Sequence, residues 1–112
     1  MSDDSRLPQG VRAILEAPDN EICVSAATGW EIAIKRTLGK LSAPPDLVSL
    51  IVEEGFRELP ISFADGERAG QLPLLHRDPF DRMLIAQSQA HNLTILTRDD
   101  DIPRYDVRTY WA

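Results

Sequence analysis

The stretch His76-Arg-Asp-Pro-Phe-Asp-Arg-Met-Leu-Ile-Ala-Gln87 decides how this chain is organised. It places two carboxylates, Asp78 and Asp81, in the opening turn of a helix that continues with apolar residues. Asp78 can accept hydrogen bonds from free backbone N–H groups, and Pro79 suits the first helical position. Acidic groups are favoured at this end of a helix, and they are also well placed to hold a hard cation. The stretch therefore predicts a capped helix start that carries a candidate cation ligand.

The composition is that of a globular protein with an acidic surface. The 112 residues include 12 basic and 18 acidic side chains, which gives a net charge of −6. This balance argues against nucleic-acid binding by electrostatics alone, but it is compatible with an enzyme that approaches RNA through bound metal. No apolar run approaches the roughly 18 residues of a membrane helix, and the polar N-terminus is unlike a signal peptide. A single cysteine, Cys23, excludes an internal disulfide, fits a cytoplasmic protein and is expected in the core.

Helical and strand patterns alternate along the chain. Strands are predicted at 21–25, 57–61 and 93–97, and a last strand or extended tail at 107–111. Helices are predicted at 5–17, after residue 25 up to Gly39, and at 46–54, 63–71 and 78–91. This alternation predicts an α/β fold in which helices cover both faces of a parallel sheet. In such sheets, sites form beyond the carboxyl ends of the strands.

Three acidic positions fall at the same end of this predicted sheet. Glu31 follows strand 21–25, and the run Asp99-Asp-Asp101 follows strand 93–97. Asp81 opens the helix that leads back into strand 93–97, so that helix starts at the carboxyl-end side. Independent helix caps need not converge in this way. The pattern therefore predicts one site built from these acids.

Each of these residues also has a purely structural interpretation. Thr28-x-x-Glu31 matches a capping box, in which the glutamate reaches back to the backbone of the cap residue. Asp78 could serve only as a helix cap, Asp81 could only complement the helix dipole, and the aspartates at 99–101 could form a solvated turn. His76 and His91 are isolated in the sequence and are expected to be either structural or solvent-facing. Trp30 and Trp111 are expected to be packing residues.

Clustered carboxylates suit Mg²⁺ or Mn²⁺, which prefer oxygen ligands and retain several waters. Such a metal activates water and neutralises the charge that develops on a phosphate during displacement. The chain lacks zinc-type Cys/His spacing, a Walker A motif, a glycine-rich dinucleotide loop and a serine nucleophile elbow. Metal-dependent phosphodiester hydrolysis is the chemistry that remains.

Four runs in the chain resemble PIN-domain proteins, and most closely the VapC-type toxins of toxin–antitoxin pairs. The runs cover nearly the whole chain in the family's order: Val24-Ser-Ala-Ala-Thr-Gly-Trp-Glu-Ile-Ala-Ile-Lys35, Leu38-Gly-Lys-Leu41, Leu72-Pro-Leu-Leu-His-Arg-Asp-Pro-Phe-Asp-Arg-Met-Leu-Ile-Ala-Gln87 and Leu93-Thr-Ile-Leu-Thr-Arg-Asp99. The resemblance implies a PIN-like three-layer α/β/α fold with a mostly parallel sheet.

The resemblance also implies an activity and its residues. Members of this family cleave RNA with Mg²⁺ or Mn²⁺ held by acidic side chains. The metal ligands implied here are Glu31, Asp81 with Asp78 close by, and Asp99 with Asp101 as a supporting residue. Such toxins are usually homodimers, each inhibited by a VapB-type antitoxin whose C-terminal segment lies over the acidic groove.

One feature of the family is missing from this chain. The family opens with an apolar strand that ends in an aspartate, commonly Leu-Leu-Asp-Thr-His, whereas Met1-Ser-Asp-Asp-Ser-Arg-Leu7 resembles the segment after the helix that follows. We therefore expect residues 1–112 to form a single PIN-like domain that is truncated at its N-terminus. Loss of a central strand would expose the edges of its neighbours and remove core area.

Two functions follow as alternatives. The chain is either a ribonuclease toxin of PIN type or a non-catalytic PIN remnant that binds an antitoxin-like partner or RNA, or only dimerises. A third, weaker alternative is a receiver-like or phosphatase-like domain that handles phosphate. That alternative requires an acidic residue at the end of the first strand and a functional lysine, an arrangement that the sequence does not show.

Overall fold

The computed structural model describes residues 9–40, 53–97 and 99–110, with side chains from residue 13 onward. Its helices are α1 (Gln9–Glu16), α2 (Ala26–Thr37), α3 (Phe63–Gln71) and α4 (Pro79–His91). Its strands are β1 (Cys23–Ser25), β2 (Arg57–Leu59), β3 (Thr94–Leu96) and β4 (Arg108–Tyr110), and a 3₁₀ turn spans Ile102–Arg104. The predicted α/β class is confirmed. The first part of the predicted helix 5–17, and nearly all of the one at 46–54, lie outside the described residues.

The strands form two parallel pairs. In the first pair, Cys23 of β1 lies opposite Arg57 of β2, and in the second, Thr94 of β3 lies opposite Arg108 of β4. The parallel direction was predicted correctly, and in the described part of the chain the strands form two separate pairs rather than a single parallel sheet. There β1 and β3 do not pair, and both line a cavity of about 550 Å³.

Local capping explains where the helices begin and end. α2 begins after Ser25, whose side chain accepts a hydrogen bond from the backbone N–H of Ala27 at 3.1 Å. Gly39 follows this helix with a φ of +72°, a conformation that glycine adopts easily, and so ends it as predicted. At the start of α3, Ser62 and Asp65 form a reciprocal capping box, with both hydrogen bonds at 3.1 Å. The backbone N–H of Ser62 holds the pKa of Asp65 below its usual range.

The described core lies where α4 meets the second strand pair. Leu72, Ile85, Ile102 and Tyr105 are buried against one another, and Ile95 and Val107 pack around them. Burial of these apolar side chains supplies the main stabilisation of this half of the molecule. The same contacts fix the start of α4 relative to the turn that follows β3.

Gln87 connects this half of the molecule to the first strand pair. It is fully buried on α4, where it accepts a hydrogen bond from Ser25 Oγ and donates to the backbone oxygen of Pro60 at 3.1 Å. It also donates to Asp65 Oδ2 at 3.2 Å. Because buried polar groups are costly when unpaired, this amide fixes the end of β1 and the start of α3 on α4. None of the described helices is long and apolar enough to cross a membrane.

Candidate metal centre

His76 lies among three carboxylates that come from two parts of the chain. Its Nε2 atom is 2.8 Å from Asp81 Oδ2 and 3.9 Å from Asp99 Oδ2. Its Nδ1 atom is 3.5 Å from Asp101 Oδ2. The imidazole is mostly buried, whereas the carboxylates are more open to solvent, up to 44% exposed at Asp101. His76 thus joins the start of α4 to the turn after β3.

The start of α4 carries the first acidic pair. Asp78 is the cap residue, and its Oδ1 accepts from the backbone N–H groups of Phe80 at 2.8 Å and Asp81 at 3.0 Å. The capping interpretation of Asp78 is therefore confirmed, with Pro79 in the first turn. Asp78, Asp81 and His76 each bring one potential ligand atom within 4.8 Å of the others. A cap role does not prevent metal binding, because each carboxylate has a second oxygen.

The turn after β3 carries the second acidic pair. Asp99 Oδ2 accepts from the backbone N–H groups of Asp101 at 3.2 Å and Ile102 at 3.1 Å, which shapes the turn that leads into the 3₁₀ segment. Asp101 also forms an ion pair with Arg104 at 3.3 Å. His76, Asp99 and Asp101 form a second group with potential ligand atoms within 4.8 Å of one another. These aspartates therefore form an ordered turn beside His76.

A buried arginine, Arg82, holds the loop that carries His76. Its Nη1 donates to the backbone oxygens of Pro73 and His76, each at 3.1 Å. Its Nη2 donates to the backbone oxygens of Ala69 at 2.8 Å and Leu72 at 3.0 Å. A buried cation is very costly unless its N–H groups are paired, so the loop folds around the guanidinium.

Tyr105, which follows the 3₁₀ turn, holds the same loop, and its hydroxyl lies 3.5 Å from Arg82 Nη1. Its hydroxyl donates to the backbone oxygen of Pro73 at 2.7 Å. It accepts from the backbone N–H groups of Leu75 at 3.2 Å and His76 at 2.9 Å. We refer to Arg82 and Tyr105 together as the loop clamp. The clamp fixes the backbone of His76 and thereby the position of its ring between the carboxylates.

The pKa values of His76 and Asp81 both shift upward. The hydrogen bond to Asp81 raises the pKa of His76 above its ordinary value, and the charges of Asp81, Asp101 and Asp99 add to this effect. Burial raises the pKa of Asp81, and the nearby charges of Asp78 and Asp99 raise it further, against the opposing effect of His76. The charges of neighbouring carboxylates contribute to both shifts, and a cation placed among these carboxylates is favourable.

Glu31 belongs to neither of these groups. Among the described residues, neither group of potential ligands includes Glu31, which forms an ion pair with Lys35 on the next turn of α2 at 3.2 Å. The capping-box interpretation is wrong, because α2 begins after Ser25 and Thr28 already lies inside the helix. The ligand role predicted for Glu31 therefore stays a prediction.

Three other expectations required correction. No part in the acidic site was expected for His76, but it is the common partner of the carboxylates. Trp30 was expected to pack inside, yet it is 64% exposed and its ring meets the edge of Phe80 at 5.2 Å between ring centroids. Cys23 was expected in the core but is only half-buried. Trp111 lies outside the described residues, and His91 is exposed, as one of its two expected roles requires.

Sequence reasoning also missed the loop clamp. Arg82 belongs to the Phe-Asp-Arg run that carries the predicted ligand Asp81. Nothing in a single sequence, however, indicates that the side chain of Arg82 is buried. Tyr105 is 29 residues from His76 along the chain, and only the fold brings the two together. The one available signal was an arginine on the otherwise apolar part of a helix.

The donor set fits a hard divalent cation. Four carboxylates and one imidazole lie in the two groups, with carboxylate oxygens in the majority. Oxygen-rich sets of this kind suit Mg²⁺ or Mn²⁺, whereas sites dominated by thiolates and imidazoles suit zinc or copper. The single cysteine, Cys23, lies away from these groups.

A comparison with protein-family models gave one match, to the model described as PIN domain, over residues 1–108. Searches of curated proteins and of solved structures gave no match to the chain.

We expect Tyr105→Phe to lower the free energy of unfolding by about 1–3 kcal/mol, because it leaves buried loop groups without a partner. Urea unfolding measures the change. Tyr110→Phe is the matched control, since Tyr110 is exposed, and it should change stability by no more than about 0.5 kcal/mol. Equal effects in the two variants would show that the clamp does not hold the loop.

We expect the stability of the metal-free chain to depend on the protonation of His76. Its pKa is raised above 6.5 by folding, so its stabilisation is complete below pH 6.5 and is lost as the pH rises through the raised pKa. In EDTA, His76→Gln should therefore lower Tm by a few degrees at pH 5.5 and by less at pH 8.5. The exposed His91 provides the control, as His91→Gln should show a much smaller dependence. A pH-independent difference for His76→Gln would contradict the assigned contacts.

Proposed function

We propose that this chain, which belongs to the PIN-domain family, is a VapC-type endoribonuclease toxin that hydrolyses RNA phosphodiesters with Mg²⁺ or Mn²⁺. The family is generally one of nucleases, and its members commonly bind a divalent metal. The observation that carries the proposal is the meeting of Asp81, Asp99 and Asp101 around His76. The acidic pair at the start of α4 and the acidic pair in the turn after β3 thus both lie beside the ring of His76.

Asp81 and Asp99 are the proposed principal ligands, with Asp78 and Asp101 in support. A bound divalent cation would supply activation of water and neutralisation of charge on the phosphate. Asp78 and Asp99 each commit one oxygen to backbone N–H groups, so their orientation is fixed before any ligand arrives. Pre-orientation of this kind reduces the free energy lost in ordering a site.

His76 is the proposed positioning residue of the centre. Its ring contacts Asp81 on one side of the cluster and Asp101 on the other, while the loop clamp fixes its backbone. It holds a proton at Nε2 or Nδ1 beside carboxylates that would otherwise repel one another. This proton keeps the acids close together in the metal-free chain.

Two features of the surface support single-stranded RNA as the substrate. Trp30 exposes most of its ring, and it contacts Phe80, the residue before Asp81. Exposed aromatic rings stack on unpaired bases without requiring a particular sequence. Arg77, an exposed cation, follows His76 directly and can contact a phosphate. The local cation and the bound metal would attract a phosphate even though the net charge of the chain is −6.

The proposed partners are a VapB-type antitoxin and a second copy of the chain. Several large apolar side chains are exposed, and such side chains are typical of protein interfaces when they are contiguous. Leu74 and Leu75 directly precede His76, so a partner that covers them would also approach the acidic cluster. A cytoplasmic location, which the single cysteine indicates, is part of the same proposal.

A second candidate is a catalytically impaired PIN remnant that binds an antitoxin-like partner or RNA without cleavage. The observation that favours it is the ion pair of Glu31 with Lys35 at 3.2 Å. Glu31 is the third acid implied for this family, and among the described residues it contributes to neither ligand group. A centre without this carboxylate would bind metal more weakly.

We expect Asp81→Asn to weaken Mn²⁺ binding at least tenfold and to abolish metal-dependent cleavage of a mixed RNA pool. The reason is the loss of the carboxylate that lies nearest His76 and close to the carboxylates of Asp78 and Asp99. Isothermal titration measures the affinity, and gel analysis of the RNA measures cleavage. Asp100→Asn is the matched control, since Asp100 is exposed and belongs to neither ligand group. Unchanged Mn²⁺ affinity in Asp81→Asn would overturn the proposed site.

The same titration on Glu31→Gln separates the two candidates. If the chain is an active nuclease, Glu31 must leave Lys35 to reach the metal, and its loss should lower Mn²⁺ affinity more than it lowers Tm. If the chain is an impaired remnant, Mn²⁺ affinity should not change. RNA binding without cleavage by the original chain would independently favour the remnant.

A further inference from the structure

An arginine, Arg104, lies at the edge of the acidic cluster. It is the last residue of the 3₁₀ turn that follows Asp101. Its Nη1 atom donates to the backbone oxygen of Leu75 at 3.1 Å and lies 3.3 Å from Asp101 Oδ1. The other carboxylate oxygen of Asp101 lies 3.5 Å from His76 Nδ1. A single carboxylate therefore separates this guanidinium from the ring that joins the cluster.

Most of the hydrogen-bonding capacity of Arg104 is unused. A guanidinium has five N–H donors, and the contacts that Arg104 makes within the described part of the chain use only Nη1. Its Nε and Nη2 atoms donate to none of the described residues. The side chain is 53% exposed, so these donors are open to a ligand from solvent.

The contact between Arg104 and Asp101 is easily exchanged. It is an ion pair through one nitrogen between two half-exposed side chains, and such pairs contribute little stability. The bond to Leu75 differs, because its acceptor is a neutral backbone oxygen that leaves the positive charge uncompensated. A divalent cation among the carboxylates would compete for Asp101 and make the guanidinium more available. Arg104 is thus tethered beside the cluster and remains free to take another acceptor.

Arg82 shows the opposite arrangement in the same part of the molecule. Its side chain is buried, and both Nη atoms donate to backbone oxygens of the loop at residues 69–76. A ligand in solvent cannot reach these donors. The two arginines therefore have different roles, since Arg82 holds the loop whereas Arg104 presents its charge at the surface.

We propose that Arg104 binds a phosphate of the RNA strand at the metal centre, exchanging its contact with Asp101 for hydrogen bonds to two phosphate oxygens. This inference rests on the proposed function, because it takes RNA as the substrate. The planar guanidinium matches the spacing of two phosphate oxygens, and charge-assisted pairs of this geometry are strong. A chain with a net charge of −6 needs such a local cation, because carboxylates repel phosphate.

Equilibrium binding of a fluorescein-labelled oligouridine to the full chain tests the proposal without reference to cleavage. Fluorescence anisotropy in Ca²⁺ gives Kd, and a gel confirms that the RNA stays intact. Arg104→Gln should raise Kd about tenfold, because it removes a charge-assisted contact. It should also lower the slope of log Kd against log salt concentration by about 0.7, the value for one phosphate contact on a single strand. Arg104→Lys keeps the charge but not the planar fork, so it should weaken binding and retain the slope.

The matched control is Arg57→Gln. Arg57 is also exposed and also pairs with a carboxylate through Nη1, at 3.0 Å from Glu21 Oε1, but none of its described contacts is with the acidic cluster. This variant should leave Kd and the salt slope unchanged. A Mn²⁺ titration of Arg104→Gln separates phosphate binding from a role in shaping the turn. Because the variant frees Asp101 from its ion pair, its Mn²⁺ affinity should be equal to or higher than that of the original chain.

Weaker RNA binding with a smaller salt slope and undiminished Mn²⁺ affinity in Arg104→Gln supports the proposal. Unchanged RNA binding in this variant would overturn it and leave the proposed substrate standing. An equal loss in Arg57→Gln would show a general effect of charge, and a joint loss of Mn²⁺ and RNA affinity in Arg104→Gln would show a structural role; each would overturn the proposal. If the original chain does not bind the RNA, this inference and the proposed substrate fail together.

Discussion

The buried guanidinium of Arg82 is the constraint on which the rest of the site depends. Its N–H groups cannot be left unpaired inside the protein, and they are satisfied by backbone oxygens of residues 69–76. The loop between α3 and α4 must therefore wrap around one side chain of α4. Tyr105 adds a hydroxyl that both donates to and accepts from this loop. The position of His76 follows from these contacts.

The acidic cluster then follows from two ordinary local structures that meet at a fixed histidine. Asp78 caps α4 and so orients Asp81, while Asp99 shapes the turn that orients Asp101. Each structure is common when taken alone. At this meeting point the hydrogen bond to Asp81 raises the pKa of His76, burial raises the pKa of Asp81, and the charges of the neighbouring carboxylates add to both shifts. Such clusters of shifted pKa values are characteristic of functional sites.

The features that the sequence predicted well are those governed by neighbouring residues. The cap at Asp78, the end of α2 at Gly39 and the parallel strands all depend on patterns a few residues long. The features that it predicted poorly depend on distant contacts, such as the exposure of Trp30 and the role of His76. The convergence of Asp81 and Asp99 followed from strand direction, but their metal-binding roles stay predictions. The two separate strand pairs could not be foreseen from periodicity, which does not report which strands are neighbours.

The most direct measurement of the central claim is a Mn²⁺ titration of the isotope-labelled chain, followed by paramagnetic broadening of backbone amide signals in NMR spectra. Mn²⁺ broadens the signals of nuclei close to it, so the spectra locate the metal without reference to activity. If the loop clamp assembles a metal centre at His76, the amides of residues 76–82 and 99–102 will broaden first and together. Broadening that is uniform over the acidic surface, or that begins elsewhere, would contradict the account.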